Sequence, residues 1–150
     1  MSGSYPNKSK YVYVEVIENT LDGLCLSIEE LQLKSQIIGR FNAYNLLAIY
    51  AVANELLGHN KIDILTPLFN IKPVPGRFNI INGKDDIIGI VDYAHSPGAL
   101  EKVFESINNL KTERQKIITI IGCGGNRDAG KRPIMGKIAY LNSDISIFTS

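Results

Sequence analysis

I-I-G-I-V-D-Y-A-H-S-P-G-A-L, residues 87–100, runs from an apolar strand through a polar junction into the start of a helix. Residues 87–91 are almost wholly apolar, the pattern of a short strand buried on both faces. The run stops at Asp92, Tyr93, Ala94 and His95, and Ser96-Pro97 then opens a helix. Ser96 suits the N-cap because its hydroxyl can accept an N–H that the first turn leaves over. Pro97 suits the next position because its ring fixes φ and the N–H it lacks would have no helical partner. An acid, a phenol and one of only two histidines thus sit where a strand hands over to a helix. In open α/β sheets that edge is where ligands bind.

Downstream, the alternation repeats. Leu100, Val103, Phe104, Ile107 and Leu110 form a helical stripe, and residues 116–121 (K-I-I-T-I-I) read as a second buried strand. Ile134, Ile138 and Leu141 mark a helix over residues 132–141, with Pro133 near its start, and residues 145–148 form a last strand. This β-α-β-α-β order predicts a mostly parallel sheet covered on both faces. The connection G-C-G-G-N-R-D-A-G-K-R-P, residues 122–133, is rich in glycine and carries Arg127, Lys131 and Arg132. Glycines let backbone N–H groups approach an anion closely, and a guanidinium grips a carboxylate with two parallel bonds. The loop lacks the third glycine of a dinucleotide fingerprint and the G-K-[ST] ending of a phosphate loop. An anion or carboxylate site clamped by Arg127 and a plain glycine-rich turn both remain open readings.

Upstream, residues 78–81 read as a strand and Asn82-Gly83-Lys84-Asp85 as a turn. Before them, I-K-P-V-P-G-R, residues 71–77, has the composition of a stiff connector and marks the candidate domain boundary. Arg77 closes it, always charged and forked for phosphate or carboxylate. The first half opens with a polar leader, residues 1–10, then strands over 11–17, 24–28 and 31–38. The turn Leu21-Asp22-Gly23 predicts a hairpin between the first two. Leu46, Ile49, Tyr50, Ala53, Leu56 and Leu57 recur at helical spacing, with Gly58 as the stop, and a short helix is expected over 61–70. Asn42 and Asn45 stand at the start of the longer helix, suited to capping or, through paired carboxamide donors and acceptors, to a nucleobase edge.

The 150 residues carry 16 basic and 15 acidic side chains, so no polybasic surface for nucleic acid or membrane is indicated. No apolar run approaches the roughly 20 residues of a membrane span. Cys25 and Cys123 lack metal-ligand spacing and suit a reducing compartment. The expectation is a soluble cytoplasmic α/β protein.

Four segments occur in fixed order: Gly39-x-Phe41-Asn42-x-Tyr44-Asn45-Leu46-Leu47-Ala48; Val74-Pro75-Gly76-Arg77-Phe78; Val91-Asp92-Tyr93-Ala94-His95-Ser96-Pro97-x-Ala99-Leu100; and Gly122-Cys123-Gly124-Gly125-Asn126-Arg127-Asp128-x-x-Lys131-Arg132-Pro133-x-Met135. Together they resemble the Mur ligases of the MurE type, over roughly residues 31–150. The resemblance implies the end of a central ATP-binding domain, residues 1–77, followed by the first half of a Rossmann-like C-terminal domain, residues 78–150. It implies an ATP- and Mg²⁺-dependent peptidoglycan ligase, cytoplasmic and bacterial, that joins a diamino acid (meso-diaminopimelate or L-lysine) to UDP-MurNAc-L-Ala-D-Glu through an acyl phosphate. A monomer without nucleic-acid or membrane partners is expected.

Carried over by position, the resemblance assigns Asn42, Asn45, Arg77, Asp92, Tyr93 and His95 to ATP binding. Asn45 is the adenine contact, Asp92 the acid at the ribose or hinge, and His95 reaches the phosphates on closure. Arg127 takes the carboxylate of the incoming diamino acid. Two positions depart from the family pattern: Ser96 replaces the usual threonine, keeping the hydroxyl, and Gly98 replaces the usual aspartate. The family's phosphate loop, magnesium ligands and carbamylated lysine have no counterpart here, and its D-N-P-R selectivity motif would begin after Ser150. The expectation is therefore a truncated chain with no complete catalytic set, inactive alone. The competing readings are a non-catalytic nucleotide- or anion-binding α/β module and, disfavoured by the missing glycine, a dinucleotide-dependent oxidoreductase.

Overall fold

A computed structural model describes residues 12–28, 30–57, 60–124 and 128–149. The chain divides into two compact units, Met1–Ile71 and Lys72–Ser150.

The first unit is a three-stranded antiparallel sheet, β1 (Val14–Thr20), β2 (Gly23–Ile28) and β3 (Leu31–Ser35), with helices α1 (Arg40–Leu57) and α2 (Lys61–Phe69). The predicted hairpin is present: Thr20 pairs with Gly23 across Leu21 and Asp22. Gly23 has φ 133, and a Cβ there would stand 2.0 Å from the Ser35 carbonyl oxygen, so the turn needs glycine twice over. β2 is the central strand, and Leu24, Leu26 and Ile28 alternate onto one fully buried face. Ala43, Leu46 and Tyr50 of α1 and Ile64, Leu65 and Leu68 of α2 close the core over it. The helix predicted from the stripe is present as α1, and its members differ in burial. Leu46 and Tyr50 are buried, whereas Ile49, Leu56 and Leu57 are 48%, 77% and 56% exposed. Gly58, the expected stop, lies outside the described residues.

The second unit holds β4 (Asn79–Asn82), β5 (Ile88–Val91), α3 (Pro97–Leu110), β6 (Ile118–Gly122), α4 (Lys131–Leu141) and β7 (Ile145–Thr149). This is the α/β order expected from the sequence. Among the described residues the strands form two separate pairs: β4 with β5 antiparallel, and β6 with β7 parallel. Asp85 and Asp86 turn the first pair at φ 55 and 59, a conformation that aspartate tolerates better than most residues. Leu100 and Phe104 of α3 pack with Met135, Ile138 and Ala139 of α4, and Ile117 and Ile121 seat against them.

Burial on both strand faces, expected for residues 87–91 and 116–121, is not observed. Ile87 is 66% exposed and Val91 48%, while Ile118 and Ile120 are 60% and 71% exposed. The helices cover one face of β6–β7 and leave Ile118, Ile120, Ile145 and Ile147 bare on the other. An apolar run reports that a strand can be buried on both sides; it does not supply the cover.

Candidate functional site

The strand-to-helix edge of residues 91–97 gathers most of the predicted site residues of the second unit. Ser96 caps α3 as expected: its hydroxyl accepts the Ala99 N–H at 3.4 Å, and Pro97 takes the first turn. With the helix start fixed, Asp92, Tyr93 and His95 are held on the short segment between β5 and α3.

Asp92 turns back to the connector. Its Oδ2 accepts the Phe78 N–H at 2.8 Å. Phe78 is 2% exposed and has φ 46, a left-handed conformation that costs a non-glycine residue about 1–2 kcal/mol. The charge-assisted bond helps hold that conformation, so one carboxylate oxygen fastens the connector to the end of β5. Arg77, the preceding residue, lays its guanidinium over the Tyr93 ring, 5.1 Å from the centroid, a cation–π arrangement. The Tyr93 and His95 rings follow at 5.1 Å between centroids, tilted by 50°. Cation, phenol and imidazole thus form an exposed row on one edge.

His95 Nδ1 lies 3.1 Å from the Tyr93 carbonyl oxygen. A carbonyl only accepts, so Nδ1 is the donor in this contact. Lys131, at the start of α4, donates from Nζ to the His95 carbonyl at 2.9 Å, while its N–H donates to Asp128 Oδ1 at 3.3 Å. Lys131 therefore ties the second strand-to-helix edge to the first. Its sequence signal was a positive charge in a glycine-rich loop, which could not show that its partner is 36 residues away. Phe78 reads from the sequence as a strand start and as the end of the second ordered segment, and neither reading points to its bond with Asp92. Arg127, the expected carboxylate clamp, lies outside the described residues.

Asn42 and Asn45 belong to the first unit and pair with each other: Asn45 Nδ2 donates to Asn42 Oδ1 at 2.9 Å. Asn42 Nδ2 donates to the Ile38 carbonyl at 2.8 Å. The expected N-capping, in which a side-chain oxygen accepts an N–H, is thus replaced by a carboxamide that satisfies a carbonyl just outside α1. The reason is position: α1 begins at Arg40, so Asn42 already sits inside its first turn. Among the described residues no group of three His, Cys, Asp or Glu side chains is gathered to hold a metal ion. No described helix is long and apolar enough to cross a membrane.

Residues 76–150 match the family model described as Mur ligase, glutamate ligase domain. A UDP-N-acetylmuramoyl-L-alanyl-D-glutamate--2,6-diaminopimelate ligase from Cytophaga hutchinsonii is 48% identical over 136 residues, 91% of this chain and 28% of that protein. The corresponding ligase from Geobacillus kaustophilus is 36% identical over 93% of this chain and 29% of its own length. Among solved structures, a ligase of the same description superposes with TM-score 0.59 at 28% identity, over 97% of this chain and 30% of that one. MurF from Acinetobacter baumannii shares the fold, with TM-score 0.72 at 20% identity over 91% of this chain and 31% of its own. The chain thus spans less than a third of the length of these relatives. Over half its length it fits the family model, and the strand-to-helix edge lies within that half: the chain belongs to the Mur ligase family.

Proposed function

We propose that this chain is part of an ATP-dependent ligase that adds a diamino acid to UDP-MurNAc-L-Ala-D-Glu. The Arg77–Tyr93–His95 row beside Asp92 carries the reading, because it sets a fixed cation and an imidazole on the edge where the family's nucleotide is expected. Diaminopimelate is the favoured amine, since the relatives cited above are named for it. The first unit is read as the end of the central nucleotide-binding domain, and the second as the start of the C-terminal ligase domain. The enzyme is read as a cytoplasmic monomer.

The chemistry requires activation of a carboxylate, which is a poor electrophile. Transfer of the γ-phosphoryl group of ATP to the D-glutamate γ-carboxylate gives an acyl phosphate and ADP. The amine then attacks the acyl carbon, phosphate departs with the C–O bonding pair, and the ammonium proton passes to solvent. Both steps pass through anionic transition states that cations stabilise. Arg77 supplies one such charge, and Tyr93 orients it. Asp92, with one oxygen committed to Phe78, has the other to offer a ribose hydroxyl. Asn42 and Asn45 are proposed for the adenine side and Arg127 for the diamino-acid carboxylate. Mg²⁺ would neutralise phosphate charge, held by residues outside those described.

In the full-length enzyme, Asp92→Ala should chiefly raise the KM for ATP, and Arg127→Ala chiefly the KM for diaminopimelate. Equal effects of both substitutions on both substrates would overturn the division. The 150-residue chain alone, which lacks a G-x-x-x-x-G-K-[ST] sequence, should show no turnover.

A further inference from the structure

Lys131 stands where its own helix does not favour it. It is the first residue of α4, Arg132 follows it, and the first turn holds no acidic side chain. The N-cap, Gly130, makes no side-chain hydrogen bond. A helix N-terminus carries a positive partial charge, so cations there work against the helix. The helix itself therefore gives no reason for a lysine at this position. Its start is served by Asp128, whose Oδ1 accepts the Lys131 N–H at 3.3 Å.

The ammonium leaves its own edge for the other one. Nζ donates to the His95 carbonyl at 2.9 Å, across 36 positions of chain. That carbonyl precedes α3, whose first turn closes on Ser96: the Leu100 N–H reaches the Ser96 carbonyl, and the Ala99 N–H the Ser96 hydroxyl. The segment between β5 and α3 is thus fastened at one end by the Asp92 bond to the Phe78 N–H and at the other by the Ser96 cap. Lys131 fastens it between them. The place of the His95 peptide matters because the imidazole hangs from it. That ring bonds to the Tyr93 carbonyl through Nδ1 and meets the Tyr93 ring, over which the Arg77 guanidinium lies. A shift of the His95 peptide therefore reaches phenol and cation through the imidazole.

On the reading of the Arg77–Tyr93–His95 row as a nucleotide edge, we propose that Lys131 is a positioning residue for nucleotide binding. By holding the His95 carbonyl from α4, it fixes the imidazole, and through it the row, in the arrangement that receives the nucleotide. Lys131 acts through His95 and does not touch the nucleotide itself. An ammonium suits the role, because it is a strong donor to a carbonyl and its four-carbon stem spans the distance between the two edges. The cation that the glycine-rich loop carries at position 131 thus serves the neighbouring edge.

A double-mutant cycle in the full-length protein tests this, with binding of the non-hydrolysable ATP analogue AMP-PNP in the presence of Mg²⁺ measured by titration calorimetry. Lys131→Met keeps the aliphatic stem and removes the donor. It should weaken binding about tenfold, the scale of one lost charge-assisted hydrogen bond. In a His95→Ala background the same substitution should change the affinity by less than about twofold, because the group that Lys131 positions is gone. The melting temperature of Lys131→Met should stay at or slightly above the wild-type value, since a cation leaves the N-terminus of α4. Unchanged affinity in Lys131→Met would overturn the proposal and leave the nucleotide reading intact. So would the same loss repeated in full in the His95→Ala background, which would mark a direct contact between Lys131 and the nucleotide. A loss of affinity that tracks a lowered melting temperature would overturn it in favour of a purely structural tether. A wild-type protein that binds no AMP-PNP would remove the nucleotide reading, and this role with it.

Discussion

Gly98 gives a sharp quantitative test of the α3 start on which the edge depends. It is the second residue of α3, after the Ser96 cap and Pro97, and the first turn holds no acidic side chain. A Cβ built at Gly98 meets no atom within 4 Å, so a side chain enters open space. Gly98→Asp should therefore stabilise the second unit by two additive effects. Replacing glycine by a residue of ordinary helix propensity gains about 0.3 kcal/mol. A carboxylate beside the free N–H groups of the first turn gains about 0.3–1 kcal/mol. The sum, about 0.6–1.3 kcal/mol, corresponds to a rise in Tm of roughly 5 °C for a unit of this size. Gly98→Asn, which matches the shape without the charge, should gain only the first part. The assay is thermal unfolding followed by circular dichroism at low salt and at 1 M salt, where the screening length falls to about 3 Å. The difference between Asp and Asn should shrink at high salt while their common gain over wild type persists. A Gly98→Asp protein no more stable than wild type, or an Asp–Asn difference indifferent to salt, would refute the reasoning.

Asp92→Ala should leave the buried Phe78 N–H without its acceptor and destabilise the second unit by about 1–3 kcal/mol, read as a lowered urea midpoint. Asp92→Asn, which keeps an accepting oxygen, should recover most of that loss; equal losses would show that the bond to Phe78 does not matter. Ser96→Ala should cost about 1 kcal/mol, and Ser96→Asp should restore it, both measured by thermal melts. Gly23→Ala should drive its methyl into the Ser35 carbonyl and cost the first unit more than about 2 kcal/mol by urea titration; a neutral effect would mean that the β1–β2 turn is not built as described.

The features legible in the sequence were those with a local cause. The Ser96-Pro97 helix start, the Leu21-Asp22-Gly23 hairpin and the order of strands and helices follow from capping, turn chemistry and hydrophobic period, each read within a few residues. The four ordered segments were likewise enough to point to the family that the comparison then showed. Asp92, Tyr93 and His95 could be placed at a strand-to-helix edge because they are adjacent in the chain.

Only the tertiary structure decided what depends on contacts between distant residues. The Asp92 bond to Phe78, the Arg77 guanidinium over Tyr93 and the Lys131 bond to the His95 carbonyl span 14, 16 and 36 positions respectively. Side-chain type gives no hint of such partners. Strand pairing belongs to the same class: the apolar runs 87–91 and 116–121 promise sheet but not which edges meet. A run such as I-I-T-I-I states how much surface a strand can bury, while the neighbours that bury it come from elsewhere in the fold: among the described residues β6 pairs only with β7, and Ile118 and Ile120 stay exposed.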